Sequence, residues 1–338
     1  MKKIKRVGVL TSGGDAPGMN AAIRAVTRAG INNGLEVFGI RMGYQGMIEG
    51  DIFQMDSQHV SGIIQTGGTF LQTARCAEFY TPEGRQKAYA KLKEFEIDAV
   101  VVIGGDGSFT GANLMAHETD MTFIGIPGTI DNDLYGTDYT IGYDTALNTV
   151  VEAVDKIRDT ASSHNRIFFV EVMGREAGFI AINSCIACGA EVAIIPEEEN
   201  QLDKVRKFLN ERASKNKSSI ILVAEGAKEG SAMEIADMIK PEYPQFDIRV
   251  SILGHMQRGG SPSAKDRITA SLMGVAAIEA LLDNQKSLMI GWVDEKPVHV
   301  PLSKTVKTHK TISHEYVVLA ESIGTFVPKA FKKPNIDI

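Results

Sequence analysis

The stretch TFIGIPGTIDND, residues 122–133, joins an apolar run to a short turn that carries hydroxyl, amide and carboxylate groups. The run Thr122–Ile126 has the composition of a strand that is buried on both faces of a parallel sheet. Open α/β sheets bind their ligands in loops at the carboxyl ends of such strands. Aspartates in the turn at 127–133 can accept a proton or hold a metal, although a turn of this composition also serves simply to reverse the chain.

Two more loops of glycine and aspartate follow strand-like runs. The loop SGGDAPGMN, residues 12–20, follows Val7–Leu10, and the loop GGDGS, residues 104–108, follows Ala99–Ile103. Glycine lets backbone N–H groups approach a phosphate at the start of a helix. Each loop alone is also explained by a tight turn with an aspartate that caps the next helix. Together with the turn at 127–133, they predict one phosphate- and metal-binding site assembled from several strand ends.

Strand-like runs and helical patterns alternate along the chain, which predicts an α/β architecture with parallel sheets. Further strand-like runs cover residues 36–40, 167–172, 192–195, 220–224, 248–253 and 288–292, and helical patterns cover residues 19–32, 143–163, a stretch that ends at 187, 202 onward and 266–282. At ~150 residues per domain, the length of 338 residues predicts two domains. The loop at residues 133–142 is the candidate boundary between them.

Composition narrows the class of protein. The net charge of −6 disfavours non-specific binding to nucleic acid. Apolar runs stay well below the ~18 residues that a membrane-spanning helix needs. The basic start at residues 1–7 leads directly into a strand and is too short for a signal peptide, so we expect a reduced, cytoplasmic protein without a membrane partner.

Cys185 and Cys188 form a C-x-x-C pattern. A redox or metal function for this pattern needs a thioredoxin-like setting or a second pair of ligands, and neither is visible in the sequence. We therefore favour two small core residues in a helix.

The loop at 104–108 nearly matches a dinucleotide-binding fingerprint, but the third glycine, Gly111, stands one residue too late. Asp106 would repel a bare phosphate. An aspartate is compatible with a bound phosphate next to it if the aspartate holds Mg²⁺, which often binds through one or two carboxylates together with phosphate oxygens and water. Asp106 is thus the candidate metal ligand, and an aspartate that only caps a helix is the alternative.

Arginines near strand ends supply positive charge for an anionic ligand. They are Arg75, Arg166, Arg175, Arg249 and Arg258. A solitary arginine is usually a surface charge, but five near strand ends favour a ligand site. His255 and Gln257 add a polar wall, and Glu225 adds an acceptor for a sugar hydroxyl. The combination predicts phosphoryl transfer, in which a turn aspartate takes the proton of the attacking hydroxyl and arginines stabilise the transferring group.

Five motifs in this order resemble the bacterial ATP-dependent branch of the phosphofructokinase family. They are GGDAPGMN at 13–20, GGDGS at 104–108, PGTIDND at 127–133, MGR at 173–175 and LGHMQRGGSP at 253–262, and the similarity runs from about residue 7 to 323. The resemblance implies two interleaved domains, each a mainly parallel sheet flanked by helices: a larger ATP-binding domain, 1–141 plus 256–304, and a smaller domain for fructose 6-phosphate, 142–255 plus 305–338. It also implies a homotetramer and Mg²⁺-dependent transfer of the ATP γ-phosphoryl to O1 of the sugar phosphate.

The resemblance further implies roles for single residues. Asp131 matches the general base, Asp106 the Mg²⁺ ligand, and Arg75 and Arg175 the catalytic arginines. ATP contacts match Gly14, Arg75, Cys76, Gly105, Gly107 and Ser108. Substrate contacts match Thr129 (also catalytic), Ile130, Met173, Gly174, Arg175, Glu225, His255, Met256, Gln257 and Arg258. Arg166 and Arg249 match arginines that reach the 6-phosphate from a neighbouring subunit.

A second site, for the effectors ADP and phosphoenolpyruvate, is implied in weakened form. Its matching residues are Arg24, Arg28, Arg158, Gly189, Ala190, Glu191 and Lys217. Ser57 stands where the family commonly has arginine, and Asn216-Lys217-Ser218 replaces a cluster of cations and histidine. A third departure, Phe179 in place of an aspartate after the MGR motif, lies near the active-site helix.

Three alternatives compete with an ATP-dependent enzyme. Pyrophosphate-dependent phosphofructokinases typically carry Asp in place of Gly107 and Lys in place of Gly128, so both glycines favour ATP. NAD and lipid kinases share only the GGDG element. A non-catalytic nucleotide sensor is disfavoured by the presence of both Asp106 and Asp131.

Overall fold

The computed structural model describes residues 4–162, 166–213, 218–308 and 310–325. The strands are β1 (Arg6–Thr11), β2 (Glu36–Ile40), β3 (Ile52–Met55), β4 (Ala99–Gly104), β5 (Thr122–Pro127), β6 (Arg166–Val172), β7 (Val192–Ile194), β8 (Ser219–Ala224), β9 (Asp247–Ile252), β10 (Leu288–Val293) and β11 (Lys296–Pro301). The α-helices are α1 (Met19–Asn32), α2 (Tyr44–Glu49), α3 (Pro82–Glu94), α4 (Asp106–Glu118), α5 (Tyr143–Ser162), α6 (Phe179–Cys188), α7 (Leu202–Ala213), α8 (Ala232–Ile239), α9 (Ala264–Leu282), α10 (Leu302–Thr305) and α11 (His314–Ser322).

The chain divides into two units. Within the described residues, the first unit takes the chain up to Ile130, then Leu134–Thr145 and Arg258–Lys310. The second unit takes Asp131–Asp133, Ala146–Gln257 and the chain from Thr311. The chain therefore passes from one unit to the other inside the turn at 127–133. The domain limits implied by the resemblance stay a prediction.

A seven-stranded sheet forms the centre of the first unit, in the order β11-β10-β5-β4-β1-β2-β3. Five of its strands are parallel, and the two edge strands β3 and β11 pair antiparallel with β2 and β10. Every residue of Ala99–Gly104 and of Thr122–Pro127 is buried, as expected for central strands of a covered parallel sheet. Helices α1 and α9 pack against each other beside this sheet.

The second unit contains a four-stranded parallel sheet in the order β7-β8-β6-β9. Its core joins apolar side chains of these strands to those of α7 and α8, including Phe169, Leu209 and Ile235. Two mainly parallel sheets flanked by helices confirm the predicted α/β fold. No helix within the described ranges has the length and apolar character needed to cross a membrane.

The two cysteines of the C-x-x-C pattern lie in the last turn of α6, as predicted. Burial raises the pKa of the Cys185 and Cys188 thiols, which disfavours the reactive thiolate. In the part of the chain that the structure describes, His, Cys, Asp and Glu form no group of three or more suited to hold a metal. The raised pKa values of the two thiols favour a packing function for this pair.

Candidate active site

Three loops meet at the carboxyl ends of the central strands of the seven-stranded sheet. Strands β1, β4 and β5 are adjacent and parallel, so their carboxyl ends lie side by side. The backbone N–H of Ser12 donates to the carbonyl of Ile103 at 3.0 Å, and that of Gly128 donates to the carbonyl of Gly104 at 2.9 Å. The structure thus brings together the loops that begin at residues 12, 104 and 127.

The loop at 104–108 presents an exposed helix start. Asp106, the first residue of α4, and Gly107 are both exposed, and Gly105 supplies no side chain to cap the helix. A Cβ atom on Gly107 would meet nothing within 4 Å. One on Gly104 would approach the Ser12 carbonyl oxygen to 2.6 Å, so the backbone contact between loops requires glycine there. The free space and the helix N-terminus suit a phosphate group.

The segment that leads to Arg75 and Cys76 is hydrogen-bonded to residues at both ends of the first loop, residues 12–20. The Thr11 hydroxyl lies 2.8 Å from that of Thr69 and donates to the carbonyl of Gln72 at 3.0 Å. The Asn20 side chain accepts from the backbone N–H of Phe70 at 2.6 Å. Arg75 is exposed and Cys76 is buried in the structure so formed. Sequence reasoning missed the tethering role of Asn20, whose partners lie fifty residues away in the chain.

Tyr44 supports the start of α4 and was also missed. Its hydroxyl donates to the carbonyl of Ser108 at 2.5 Å, and its ring stacks on Phe79 at 3.9 Å between centroids. Burial raises the pKa of the Tyr44 phenol, so it stays protonated and remains a donor. The only available signal, an aromatic residue after a glycine turn, does not indicate this partner.

Arg258 belongs to the first unit and lies against the first loop. Its Nη1 donates to the carbonyl of Asp15 at 3.2 Å, and a Cβ on Gly14 would come within 2.5 Å of the same nitrogen. The Arg258 guanidinium thus lies directly beside Gly14, and a side chain at position 14 would shift it. The neighbouring residues His255 and Met256 are exposed.

Asp131 and Arg175 form a pair within the second unit. The Asp131 carboxylate is 1% exposed, and its Oδ2 lies 3.4 Å from the Nε of Arg175, whose side chain is 58% exposed. Arg175 adopts a positive φ of 52°. Thr129 and Ile130, which precede Asp131, are buried in the first unit. A buried carboxylate next to a guanidinium can accept a proton while its charged form stays stabilised.

The carboxylate of Glu225 and the side-chain amide of Gln257 hold the turn that carries Arg175. Glu225 Oε1 accepts from the backbone N–H groups of Gly174 at 3.2 Å and of Arg175 at 2.8 Å. The buried Gln257 accepts from the backbone N–H of Met173 at 3.2 Å. The predicted substrate residues 173–175, Glu225 and Gln257 thus lie together.

Arg166 and Arg249 lie elsewhere in the second unit. Arg166 begins β6 and Met173 follows its other end, so at ~3.3 Å per residue about 20 Å separates them. Both arginines bind Asp247: Arg166 Nε lies 2.8 Å from its Oδ2 and Arg249 Nε 2.9 Å from its Oδ1. These bonds lower the pKa of the Asp247 carboxyl. The structure does not bring this pair of arginines to the 173–175 turn of its own chain.

The predicted effector residues fall into both units. Arg24 and Arg28 are half-buried on α1, and Ser57 is exposed. In the second unit, Arg158 Nη2 donates to the carbonyl of Gly189 at 2.8 Å, and its Nη1 lies 3.8 Å from Oε1 of Glu191. Ala190 is buried, Ser218 is half-buried, and Phe179 is a buried residue at the start of α6. Lys217 and Asn216 lie outside the described residues.

These features are those of an α/β enzyme that binds phosphorylated ligands at the carboxyl ends of its strands. A model of the phosphofructokinase family matches residues 6–281. The chain is 61% identical over 96% of its length to all of ATP-dependent 6-phosphofructokinase 2 of Bacteroides thetaiotaomicron. It is 54% identical over 95% of its length to all of ATP-dependent 6-phosphofructokinase 1 of Thermus thermophilus. The chain belongs to the phosphofructokinase family.

Solved structures support the same fold. Phosphofructokinase from Saccharomyces cerevisiae is 38% identical with a TM-score of 0.84 over 95% of this chain, and the chain spans 47% of that longer protein. A pyrophosphate-dependent phosphofructokinase from Marinobacter aquaeolei has a TM-score of 0.83 over 96% of this chain and 89% of its own, at 22% identity. The second similarity establishes the fold alone.

The family implies a divalent metal, and the residues at the start of α4 fit one. Asp106 offers an exposed carboxylate beside open space at Gly107. Because Mg²⁺ commonly keeps water and phosphate oxygens as ligands, a single carboxylate at this position is a suitable protein donor.

Proposed function

We propose that this protein is an ATP-dependent 6-phosphofructokinase, which transfers the γ-phosphoryl group of ATP to the O1 hydroxyl of fructose 6-phosphate and releases fructose 1,6-bisphosphate and ADP. The observation that carries the proposal is the buried Asp131 beside Arg175. Asp131 lies on the turn that directly follows β5, one of the three strands whose carboxyl ends carry the predicted ligand loops. Relatives named ATP-dependent 6-phosphofructokinase at 61% and 54% identity support it.

The first unit binds the nucleotide in this proposal. Gly14, Gly105 and Gly107 let the phosphates approach backbone N–H groups, while Ser108, Cys76 and Arg75 contact ATP. Asp106 would hold Mg²⁺, which when bound neutralises charge on the phosphate oxygens. The exposed Arg75 is free to turn toward the transferring group.

The second unit binds and activates the sugar. Asp131 takes the proton of the O1 hydroxyl as this oxygen attacks phosphorus. Arg175 lies beside Asp131 and, with Arg75, offsets charge on the transferring group. Thr129 and Ile130 shape the substrate loop. Met173, Gly174, Glu225, His255, Met256, Gln257 and Arg258 complete the sugar-phosphate contacts.

Arg166 and Arg249 serve the site of a neighbouring subunit in a homotetramer. Arg166 lies about 20 Å along β6 from the 173–175 turn, and Arg249, which pairs with Phe168 on that strand, lies about 17 Å from it, which supports this assignment. The shared carboxylate of Asp247 holds the two guanidinium groups side by side, as a single phosphate group would require.

The choice of donor is tested at Gly107. Because a Cβ there meets nothing within 4 Å and the backbone is helical, Gly107→Asp should fold normally. Its added carboxylate should repel the ATP phosphates and raise the KM for ATP by roughly 10-fold or more, since each ~1.4 kcal/mol is a factor of ten. Gly111→Ala, further along the same helix, is no control because its Cβ would strike Phe79 at 2.9 Å. Gly107→Asn, which adds a side chain of the same size without the charge, is the matched control.

The measurement is a coupled assay of wild type with ATP and then with pyrophosphate. We expect fructose 1,6-bisphosphate formation with ATP and Mg²⁺ and none with pyrophosphate. Comparable kcat/KM for the two donors would favour the pyrophosphate-dependent alternative. An unchanged KM for ATP in Gly107→Asp would show that the ATP phosphates do not bind at the start of α4.

We also propose a weakened effector site for ADP or phosphoenolpyruvate. Arg24, Arg28, Arg158 and the residues 189–191 remain, but Ser57 and Ser218 add no charge. Arg158 is already engaged with the carbonyls at the end of α6, which supports reduced affinity for an effector phosphate.

A further inference from the structure

Asp266 is a buried carboxylate outside the proposed reaction site. It lies in the first turn of α9 and is 3% exposed. Its Oδ1 accepts from the backbone N–H of Gly142 at 2.9 Å, and its Oδ2 accepts from the backbone N–H of Thr145 at 2.8 Å and from the Thr145 hydroxyl at 2.5 Å. Burial raises the pKa of Asp266, and these hydrogen bonds oppose the rise. Such a costly group is retained where its bonds fix a specific geometry.

The segment that Asp266 holds is bound to the turn at residues 127–133, which we call the signature turn. The Thr140 hydroxyl donates to the carbonyl of Thr129 at 2.6 Å. The backbone N–H of Ile141 donates to the carbonyl of Pro127 at 2.8 Å, and residues 128 and 141 form an isolated parallel bridge. The backbone that leads directly into Asp131 is therefore set by residues 140–145.

Asp266 also lies beside the loop at residues 12–20, which we call the nucleotide loop. A Cβ on Gly18 would come within 2.7 Å of the Ile141 side chain and 3.5 Å of the Asp266 Cβ. A Cβ on Gly142 would come within 2.7 Å of Ala16. Both glycines have positive φ, 108° and 100°, so the two loops are in direct contact in conformations that larger residues would strain.

The carboxylate further fixes the start of α9, which follows the loop of Arg258. The backbone N–H of Ser263 donates to the Thr145 hydroxyl at 2.9 Å. The Ser263 hydroxyl in turn accepts from the backbone N–H of Asp266 at 3.1 Å. The Asp266 carboxylate thus bonds the segment 142–145, and that stretch of chain is bonded in turn to the signature turn and to the start of α9. Beside it, a Cβ on Gly18 of the nucleotide loop would lie 3.5 Å from the Asp266 Cβ.

We propose that Asp266 is a positioning residue for phosphoryl transfer. This inference rests on the proposed function. Its carboxylate fixes the signature turn against the nucleotide loop, so that the acceptor and donor groups bound by these segments keep a reactive geometry. A misplacement of about 1 Å in such a geometry can cost on the order of 10²-fold in rate.

The first test is Asp266→Asn, which keeps size and shape. One carboxylate oxygen becomes an NH₂ group, which faces either the Gly142 N–H or the Thr145 donors. The hydrogen bonds to that residue are therefore lost. We expect kcat to fall roughly 10- to 100-fold, with the KM values for ATP and fructose 6-phosphate within about threefold of wild type. Circular dichroism at the assay temperature establishes that the variant is folded.

The matched control is Asp98→Asn, which makes the same chemical change at the opposite end of the strands. Asp98 accepts from the backbone N–H groups of Lys5 at 2.8 Å and Arg6 at 3.0 Å, before the start of β4. We expect this variant to lose stability but to keep the wild-type kcat.

Thr145 supplies a second variant in case Asp266→Asn does not fold. Thr145→Val removes the hydroxyl that bonds Asp266 and should lower kcat in the same way, whereas Thr145→Ser keeps the hydroxyl and should restore it. The double variant with Asp266→Asn should lose less than the product of the single losses, because both changes break the same connection.

Hydrogen exchange separates this inference from the proposed function. Backbone amides in residues 127–145 should exchange faster in Asp266→Asn than in wild type or Asp98→Asn. If wild type lacks the activity, the proposed function fails, and the exchange result still decides whether Asp266 anchors the turn. A folded Asp266→Asn enzyme with wild-type kcat and unchanged exchange would overturn the inference.

Discussion

At the scale of single residues, the sequence identifies functional residues that stand within a recognisable local motif. It misses residues whose hydrogen-bond partners are distant in the chain. Asp106 and Asp131 stand in short loops of glycine and turn residues directly after strands, so their location follows from the pattern. Tyr44 and Asp266 act through partners 64 and 121 residues away in the chain. Neither periodicity nor turn chemistry encodes such a partner, so only the fold reveals it.

The general-base role of Asp131 is tested by Asp131→Asn. The amide cannot accept the proton from the sugar hydroxyl, so we expect kcat to fall by roughly 10²–10⁴. The variant should stay folded, because asparagine has the size and shape of aspartate and fits the same buried position. The KM for fructose 6-phosphate should change only modestly.

Asp138→Asn is the matched control for this change. Asp138 is exposed in the following loop and accepts from the backbone N–H of Asp294 at 3.2 Å. It should keep the wild-type kcat. A kcat for Asp131→Asn within threefold of wild type would show that another group takes the proton.

At the scale of elements, strands buried on both faces were predicted well, whereas the two antiparallel edge strands of the seven-stranded sheet, β3 and β11, were not predicted. The run AVVVIG of β4 is apolar throughout and typical of a central parallel strand. Edge strand β3 has only four residues, and β11, KPVHVP, carries prolines near both ends. Proline cannot donate to a ladder and is found mainly at sheet edges, so such a segment reads as a loop in the sequence.

Strand β6 separates two sets of predicted substrate residues, because Arg166 begins it and Met173 follows its end. If Arg166 and Arg249 act on a neighbouring subunit, Arg249→Ala and Asp131→Asn subunits should complement each other. In a random mixture of inactive homo-oligomers, about one quarter of the sites would combine an intact Asp131 with an intact Arg249 from a neighbour. The measurement is activity after dissociation and reassembly of the mixture.

Arg175→Ala mixed with Asp131→Asn is the matched control for complementation. Arg175 and Asp131 are 3.4 Å apart in the same chain, so no exchange of whole subunits should restore that pair. Equal rescue in both mixtures, or full activity of an isolated Arg249→Ala subunit, would contradict a shared site.

At the scale of the whole molecule, the chain crosses between its two units inside the signature turn. Thr129 and Ile130 belong to the first unit and Asp131 to the second. The division into units is set by contacts with each core rather than by loop composition, so the candidate boundary in the loop at 133–142 stays a prediction. The predicted effector residues are divided in the same way, with Arg24 and Arg28 in the first unit and Arg158 in the second.

The effector site that we propose should be sensitive to the loss of single charges. Each charge-assisted hydrogen bond is worth ~1.5–3 kcal/mol, and ~1.4 kcal/mol is a factor of ten in affinity. Without a cation at Ser57, and with Arg158 donating to the carbonyls of Cys188 and Gly189, an effector phosphate loses one or two such bonds. The affinity should therefore be roughly 10- to 10³-fold lower than in a site with its full set of cations.

We therefore expect weak or absent inhibition by phosphoenolpyruvate and weak activation by ADP. Ser57→Arg should strengthen the response by restoring a cation, because Ser57 is exposed and a longer side chain can be accommodated there. Gln58→Arg adds the same charge one residue further along the exposed segment and should leave the response weak. The measurement is the titration of phosphoenolpyruvate at low fructose 6-phosphate. Half-inhibition of wild type at sub-millimolar effector, or an equal gain in both variants, would show that the remaining arginines suffice or that position 57 lies outside the site.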